Sequence, residues 1–150
     1  MEPLDPADPA ALADLTDPFE IAAELRLAIG AMVRRLRVDD ELPQNQAAVL
    51  GWLVREGPRT TSQLAGLQRV RHQSMARTVA LLTEAGLVEQ QPHATDGRKV
   101  LIAATEAGTA ALYAQRARRE GQIAAAISER LTPDEQRRLR ESVALLHRLA

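Results

Sequence analysis

The sequence predicts a mainly α-helical fold that carries one β-hairpin, and two observations support this prediction. Apolar residues recur every three to four positions over most of the 150-residue chain, which is the period of an amphipathic helix. The stretch HATDGRKVLIAAT, residues 93–105, departs from that period because it joins an Asp-Gly turn to a run of β-branched and apolar residues. The length of the chain fits one domain with a modest core.

Residues 1–56 predict a tail and two helices. Residues 1–16 hold three prolines among acidic residues and alanines, so we expect a flexible acidic tail. An amphipathic helix of about 20 residues then occupies 17–38, and Asp17 can cap its first turn. Pro43 is expected to start a second helix, which Gly57 ends.

Two short helices joined by a tight turn follow, which is the layout of a helix-turn-helix. Thr60 and Gln63 predict a capping box at the start of the third helix, and Gly86 ends the fourth helix. The inward positions of the fourth helix are predicted to be Val70, Met75, Val79 and Leu82. A hairpin with strands at 87–91 and 100–103 comes directly afterwards and extends this unit to a winged helix-turn-helix.

Two further helices complete the chain, and capping signals mark their starts at Thr105 and Thr132. The first helix and the last two carry apolar stripes that a small winged lobe covers only in part. We therefore expect a helical dimerisation region formed by 17–38 and 105–150, and a winged helix-turn-helix lobe formed by 43–104.

Composition and charge exclude several classes of protein. No apolar run approaches the roughly 18 residues of a membrane span, and the start MEPLDPADPA does not resemble a secretory signal, so we expect a cytoplasmic protein without a membrane partner. The absence of cysteine excludes disulfides and thiolate metal sites. The net charge of −1 hides an uneven layout, because residues 1–42 hold ten acids and four bases whereas 55–99 hold four acids and seven bases.

Polar groups on the exposed side of the fourth helix and at the hairpin tip are suited to DNA. Arg77 can bind phosphate or guanine, Gln73 can pair with adenine, and His72 is either a DNA contact or an ordinary surface histidine. Arg98 can enter the minor groove, and Asp96 can orient it or serve only the turn. The candidate DNA contacts are Arg71, His72, Gln73, Ser74, Arg77, Asp96, Arg98 and Lys99.

Residues 18–149 resemble the MarR family of bacterial transcriptional regulators. The resemblance is carried by TTSQLAGLQRVRHQSMARTVALLTEAGLV (60–88) and TDGRKVLIAATEAG (95–108). The matching positions are Leu64-Ala65, Leu82, Gly86-Leu87-Val88, Asp96-x-Arg98 and Thr105-x-x-Gly108. Arg71 departs from the capping serine that is common in the family, and Ala104 departs from a leucine.

The resemblance implies a homodimer with interlocked terminal helices, bound to a pseudo-palindromic site in double-stranded DNA. The fourth helix would enter the major groove and the wing would reach the minor groove. The resemblance also implies a small-molecule effector that releases a repressor. The residues that we expect to line its crevice are Met32, Leu36, Val49 and Trp52. Trp52 can equally belong to the core, because the chain has only three aromatic residues.

Two alternative functions stay open, and one class is excluded. A winged-helix module can bind protein instead of DNA, although it has no need of cations at Arg77 and Arg98. A metal-responsive regulator is the second alternative, but His72, His93 and His147 lie far apart in sequence. No catalytic constellation or phosphate-binding loop is present, so we predict no enzyme and no cofactor.

Overall fold

The computed structural model describes residues 17–36, 41–92, 96 and 99–149. These residues form two compact units, one that contains α1 and one that contains everything from Glu41 onwards. The elements are α1 (Pro18–Leu36), α2 (Gln44–Glu56), α3 (Thr61–Leu67), α4 (His72–Glu84), β1 (Val88–Pro92), β2 (Val100–Ala104), α5 (Glu106–Arg130) and α6 (Pro133–His147). The predicted fold class and element order are confirmed. The predicted tail, residues 1–16, lies outside the described residues.

Helices begin where capping side chains were predicted. Asp17 Oδ1 accepts a hydrogen bond of 2.9 Å from the N–H of Phe19 in the first turn of α1. Thr60 and Gln63 form the complete capping box of α3, and a second box starts α6. Pro43 differs from the prediction by one position, because it lies before α2 as its N-cap residue and makes no side-chain cap.

The hairpin is antiparallel, and its register pairs Val88 with Ala104 and Pro92 with Val100. Arg59 extends this two-stranded sheet by one bridge, because its N–H and carbonyl both bond to Ile102, at 3.0 and 2.8 Å. The bridge joins the hairpin to the chain just before α3. Sequence reasoning missed it, since a single bridged residue has no alternating pattern.

The core of the second unit lies between α2, α3, α4, the hairpin and the first half of α5. Its most buried large side chains are Leu50, Leu64, Met75, Leu82, Ile102 and Val49. Val70 was predicted to face inward with Met75 and Val79, and this is wrong. Val70 precedes the first residue of α4 and is 41% exposed, because it belongs to the turn and not to the helix.

Thr105 links the end of the α4 segment to the start of α5. Its hydroxyl donates to the carbonyl of Gly86 at 2.7 Å and accepts from the N–H of Gly108 at 3.0 Å. The Thr105 N–H also donates to the carbonyl of Leu87 at 3.1 Å. Gly86 adopts the left-handed region with φ 70°, and a Cβ on Gly108 would lie 1.9 Å from the Leu87 carbonyl oxygen. The glycines of this motif are therefore required by backbone geometry.

The segment before α2 is tied to α5 by two contacts. The Leu42 N–H donates to Oε1 of the buried Gln115 at 2.9 Å. Glu41 pairs with Arg118, and the hydrogen bond and charge of that guanidinium lower the pKa of the Glu41 carboxyl.

The helices at the two ends of the described chain leave apolar side chains uncovered. No residue of α1 or α6 is buried, and the last buried residue of α5 is Gln115. The exposed apolar residues of α1 and α6 include Phe19, Ile21, Leu27, Ile29, Met32, Leu139, Val143 and Leu145, and Leu149 just after α6 is exposed as well. None of the helices that the structure describes has the length and hydropathy needed to cross a membrane.

Candidate nucleic-acid interface

The turn between α3 and α4 closes α3 in a Schellman motif. The Val70 N–H donates to the carbonyl of Ala65 at 3.0 Å, and the Arg69 N–H donates to that of Gly66 at 3.2 Å. In this motif the residue that follows the helix cap adopts the left-handed conformation, and that residue is usually glycine. Arg69 occupies that position with φ 53°, and within the described ranges it is the only non-glycine residue with positive φ. The conformation costs an arginine roughly 1 kcal/mol or more.

The start of α4 lacks a side-chain cap. Arg71 is its N-cap residue and makes no side-chain hydrogen bond to the first turn. The loss of a capping hydroxyl at such a position typically costs about 1 kcal/mol. Arg71, which replaces the capping serine common in the family, therefore leaves the start of α4 uncapped and has an exposed side chain.

The two sides of α4 differ as predicted. Met75, Thr78, Val79 and Leu82 are buried against the lobe. The other side presents the exposed residues His72, Gln73, Ser74 and Arg77. The helix therefore presents four of the predicted contacts together, and Arg71 lies directly before them.

A polar contact fixes α4 against α2. Asn45 Nδ2 donates to Thr78 Oγ1 at 3.1 Å, and the Thr78 hydroxyl donates to the carbonyl of Ser74 at 3.1 Å. Thr78 is almost fully buried, so this bond replaces the water that it lost on folding. Sequence reasoning missed both residues. The one indication in the sequence is that Thr78, a polar residue, falls on the buried side of α4 and so needs a hydrogen-bond partner.

The described part of the hairpin tip holds an ion pair. Lys99 Nζ lies 3.4 Å from Asp96 Oδ2, and the Lys99 N–H donates to the Asp96 carbonyl at 2.9 Å. Both side chains are substantially exposed. Arg98 lies outside the described residues, so the predicted orientation of Arg98 by Asp96 stays a prediction.

Lys99 lies next to the start of α3. It lines a shallow cleft together with the hydroxyl side chains of Thr60, Thr61 and Ser62 and with Val100. The cleft combines one cation with three hydroxyl groups, which are common partners of a nucleic-acid backbone. The sequence indicated Thr60 only as a helix cap, and nothing in it pointed to Thr61 or Ser62.

The residues predicted to line an effector crevice have different surroundings. Val49 is fully buried in the core of the second unit, and Trp52 is half-buried with the Arg55 guanidinium 4.4 Å from its ring centroid. Met32 is about half exposed and Leu36 is half-buried, both on α1. The crevice stays a prediction. Within the described part of the chain, no three metal-favouring side chains come together.

The six helices and the hairpin of the described residues thus define the class of winged helix-turn-helix proteins. The profile of the MarR family matches residues 41–99. A helix-turn-helix transcriptional regulator of Mycobacterium leprae, itself uncharacterised, is 35% identical over 103 residues, which are 67% of this chain and 72% of that protein.

Solved structures of other proteins share the fold. A putative transcriptional regulator from Pseudomonas aeruginosa is 30% identical with a TM-score of 0.77, over 88% of this chain and 94% of that chain. A point variant of MepR from S. aureus, solved bound to an oligodeoxyribonucleotide, is 15% identical with a TM-score of 0.67, over 87% of this chain and 98% of that chain.

The chain belongs to the MarR family of DNA-binding helix-turn-helix transcriptional regulators. It is accordingly a regulator and not an enzyme.

Proposed function

We propose that this protein is a homodimeric repressor that binds a pseudo-palindromic operator through α4 and the hairpin. The observation that carries the proposal is the two-sided character of α4, whose buried side is apolar and whose exposed side carries His72, Gln73, Ser74 and Arg77. An α-helix with its side chains is roughly 10–12 Å across, so a major groove about 12 Å wide admits the 13-residue α4.

The exposed residues of α4 have complementary roles in this proposal. Gln73 reads adenine through its carboxamide, and Arg77 donates to guanine or to a phosphate. Ser74 and His72 add hydrogen bonds to bases or to the backbone. Arg71 donates to a phosphate at the uncapped start of the helix.

The hairpin provides the second contact of each lobe. Lys99 and the hydroxyls at the start of α3 bind backbone phosphates, and Arg98 enters the minor groove, where the potential is most negative. The Asp96–Lys99 pair is exposed, so phosphate can compete with the carboxylate for the ammonium group.

Dimerisation uses the helices at the two ends of the chain. The apolar residues of α1 and α6 are exposed in a single chain, and a second copy would cover them. We therefore assign 17–38 and 105–150 to dimerisation and 43–104 to the DNA-binding lobe. Two α4 helices would then lie about 34–36 Å apart, which is one turn of DNA.

Release by a ligand completes the proposed regulation. A small amphipathic molecule would favour a dimer whose lobes no longer match successive major grooves. A winged-helix module that binds only protein is the competing function. The exposed arginines around α4 favour DNA over this alternative, and the MepR variant of the same fold was captured on an oligodeoxyribonucleotide.

Selection of bound fragments from random duplex DNA, followed by anisotropy titrations at several salt concentrations, tests the proposal. We expect an inverted half-site and an affinity loss of roughly 10³–10⁵ between about 50 and 200 mM salt. Arg77→Ala should weaken operator binding about tenfold or more, because a charge-assisted contact to DNA is lost. Arg148→Ala, at an exposed position after α6, should leave binding unchanged.

If the selection enriches no motif and the protein binds all duplexes equally weakly, the proposed sequence-specific binding to an operator is wrong. Failure to bind any duplex at low salt would contradict DNA binding by these lobes and favour the protein-interaction module.

A further inference from the structure

We infer that Arg69, in the turn between α3 and α4, is a phosphate contact of the DNA-binding lobe. The inference rests on the proposed function and adds a residue to the interface that neither the family motif nor the polar side of α4 includes. It follows from three observations: the backbone conformation of Arg69, the surroundings of its side chain, and its place beside Arg71.

The fold itself gives no reason for arginine at this position. The Schellman motif around Ala65 and Gly66 needs a left-handed residue after its cap, and glycine adopts that conformation without steric cost. Arg69 adopts it with φ 53°. The two hydrogen bonds of the motif are backbone bonds, so they would form equally well with glycine.

Among the described residues, no ion pair of the Arg69 side chain offsets the cost of its left-handed backbone. The side chain is exposed, and no carboxylate of the described residues forms an ion pair with it. The guanidinium is therefore available to bind a group outside the chain.

The position of Arg69 indicates which group that is. Arg71, two residues later, is also exposed and directly precedes the polar side of α4. When α4 enters the major groove, the segment that leads into it meets the sugar–phosphate backbone that borders the groove. Two exposed guanidinium groups in that segment match the charge and the oxygen geometry of phosphate.

Arg69→Gly separates the effect on folding from the effect on DNA binding, because it should stabilise the fold and weaken binding. We expect the Tm to rise by about 2–4 °C, since glycine removes the left-handed strain in a chain of this size. Affinity for operator and for scrambled duplex should fall by a similar factor, roughly tenfold. The slope of log affinity against log salt should fall by about 0.9 for each lobe.

Two further variants test whether the weaker binding of Arg69→Gly comes from the lost charge or from a more flexible turn. Arg69→Asn removes the charge but keeps a residue that tolerates the left-handed region, so its salt slope should fall as it does in Arg69→Gly. Arg69→Lys keeps the charge, so its slope should match the wild type. Arg148→Ala removes one exposed arginine outside residues 43–104, and with its mass in solution checked by light scattering it should change neither affinity nor slope.

An unchanged salt slope in Arg69→Gly and Arg69→Asn, with the wild type binding DNA, would overturn this inference and leave the proposed function standing. A lower Tm in Arg69→Gly would also overturn it, because the arginine would then serve the fold. A wild-type protein that binds no duplex would overturn both proposals.

Discussion

Gln73 lies on the exposed side of α4, and its carboxamide can donate to and accept from the edge of one adenine. Gln73→Ala should therefore lower affinity for the selected operator by about 1–3 kcal/mol while changing affinity for scrambled duplex little. Parallel anisotropy titrations on the two duplexes at one salt concentration measure the difference. Equal losses on both would mean that Gln73 binds the backbone and reads no base.

At the residue scale, the sequence predicted the side of a helix better than the conformation of a turn. The period of Met75, Val79 and Leu82 places Gln73 on the opposite side of α4, because a helix has one fixed repeat. The same period misassigned Val70, since it does not show where a helix begins. The left-handed backbone of Arg69 was not predictable either, because the usual signal for that conformation is glycine or asparagine.

At the element scale, the link between α4 and α5 depends on the absence of a side chain at Gly108. A Cβ there would lie 1.9 Å from the Leu87 carbonyl oxygen and 3.1 Å from Cδ2 of Leu50, so backbone must move. Gly108→Ala should lower the free energy of unfolding by about 3 kcal/mol or more, beyond the usual cost of overpacking. Urea unfolding followed by circular dichroism measures this change.

Gly66→Ala is the matched control for that substitution. Gly66 also lies in a helix, but a Cβ there would meet no atom within 4 Å. Alanine should therefore raise the free energy of unfolding by about 0.5–1 kcal/mol through helix propensity. If Gly108→Ala were equally well tolerated, the close contact between α5 and Leu87 would be refuted.

Capping residues explain why most element boundaries were predictable. Thr60, Thr105 and Thr132 each mark a helix start by a local hydrogen bond, which depends on residues only three positions apart. Contacts between distant parts of the chain leave no such local pattern. The bridge between Arg59 and Ile102 and the bond between Asn45 and Thr78 are of this kind.

At the scale of the whole molecule, the uncovered apolar residues of α6 predict the effect of a charge on assembly. Val143→Glu should convert the proposed dimer to a monomer, because a carboxylate would be buried in its apolar interface. Light scattering after size exclusion measures the mass. The lobe should keep its helical circular dichroism, since no residue of α6 is buried in the single chain.

Ala144→Glu introduces the same charge at an exposed position of α6, on the side away from Leu139, Val143 and Leu145 by helical spacing. It should leave the proposed dimer intact. Dissociation by both variants would indicate a general effect of negative charge, and dissociation by neither would refute the role of α6.

Three contacts within the lobe limit the movement that the proposed effector would produce. Thr105 joins α5 to the end of α4, Arg59 joins the hairpin to the segment before α3, and Asn45 joins α2 to α4. In the proposed dimer we therefore expect each lobe to move as one body, so that the proposed effector would change the distance between lobes and not the shape of either. The same ligand should then weaken binding to operators with one spacer length and strengthen binding to operators with another.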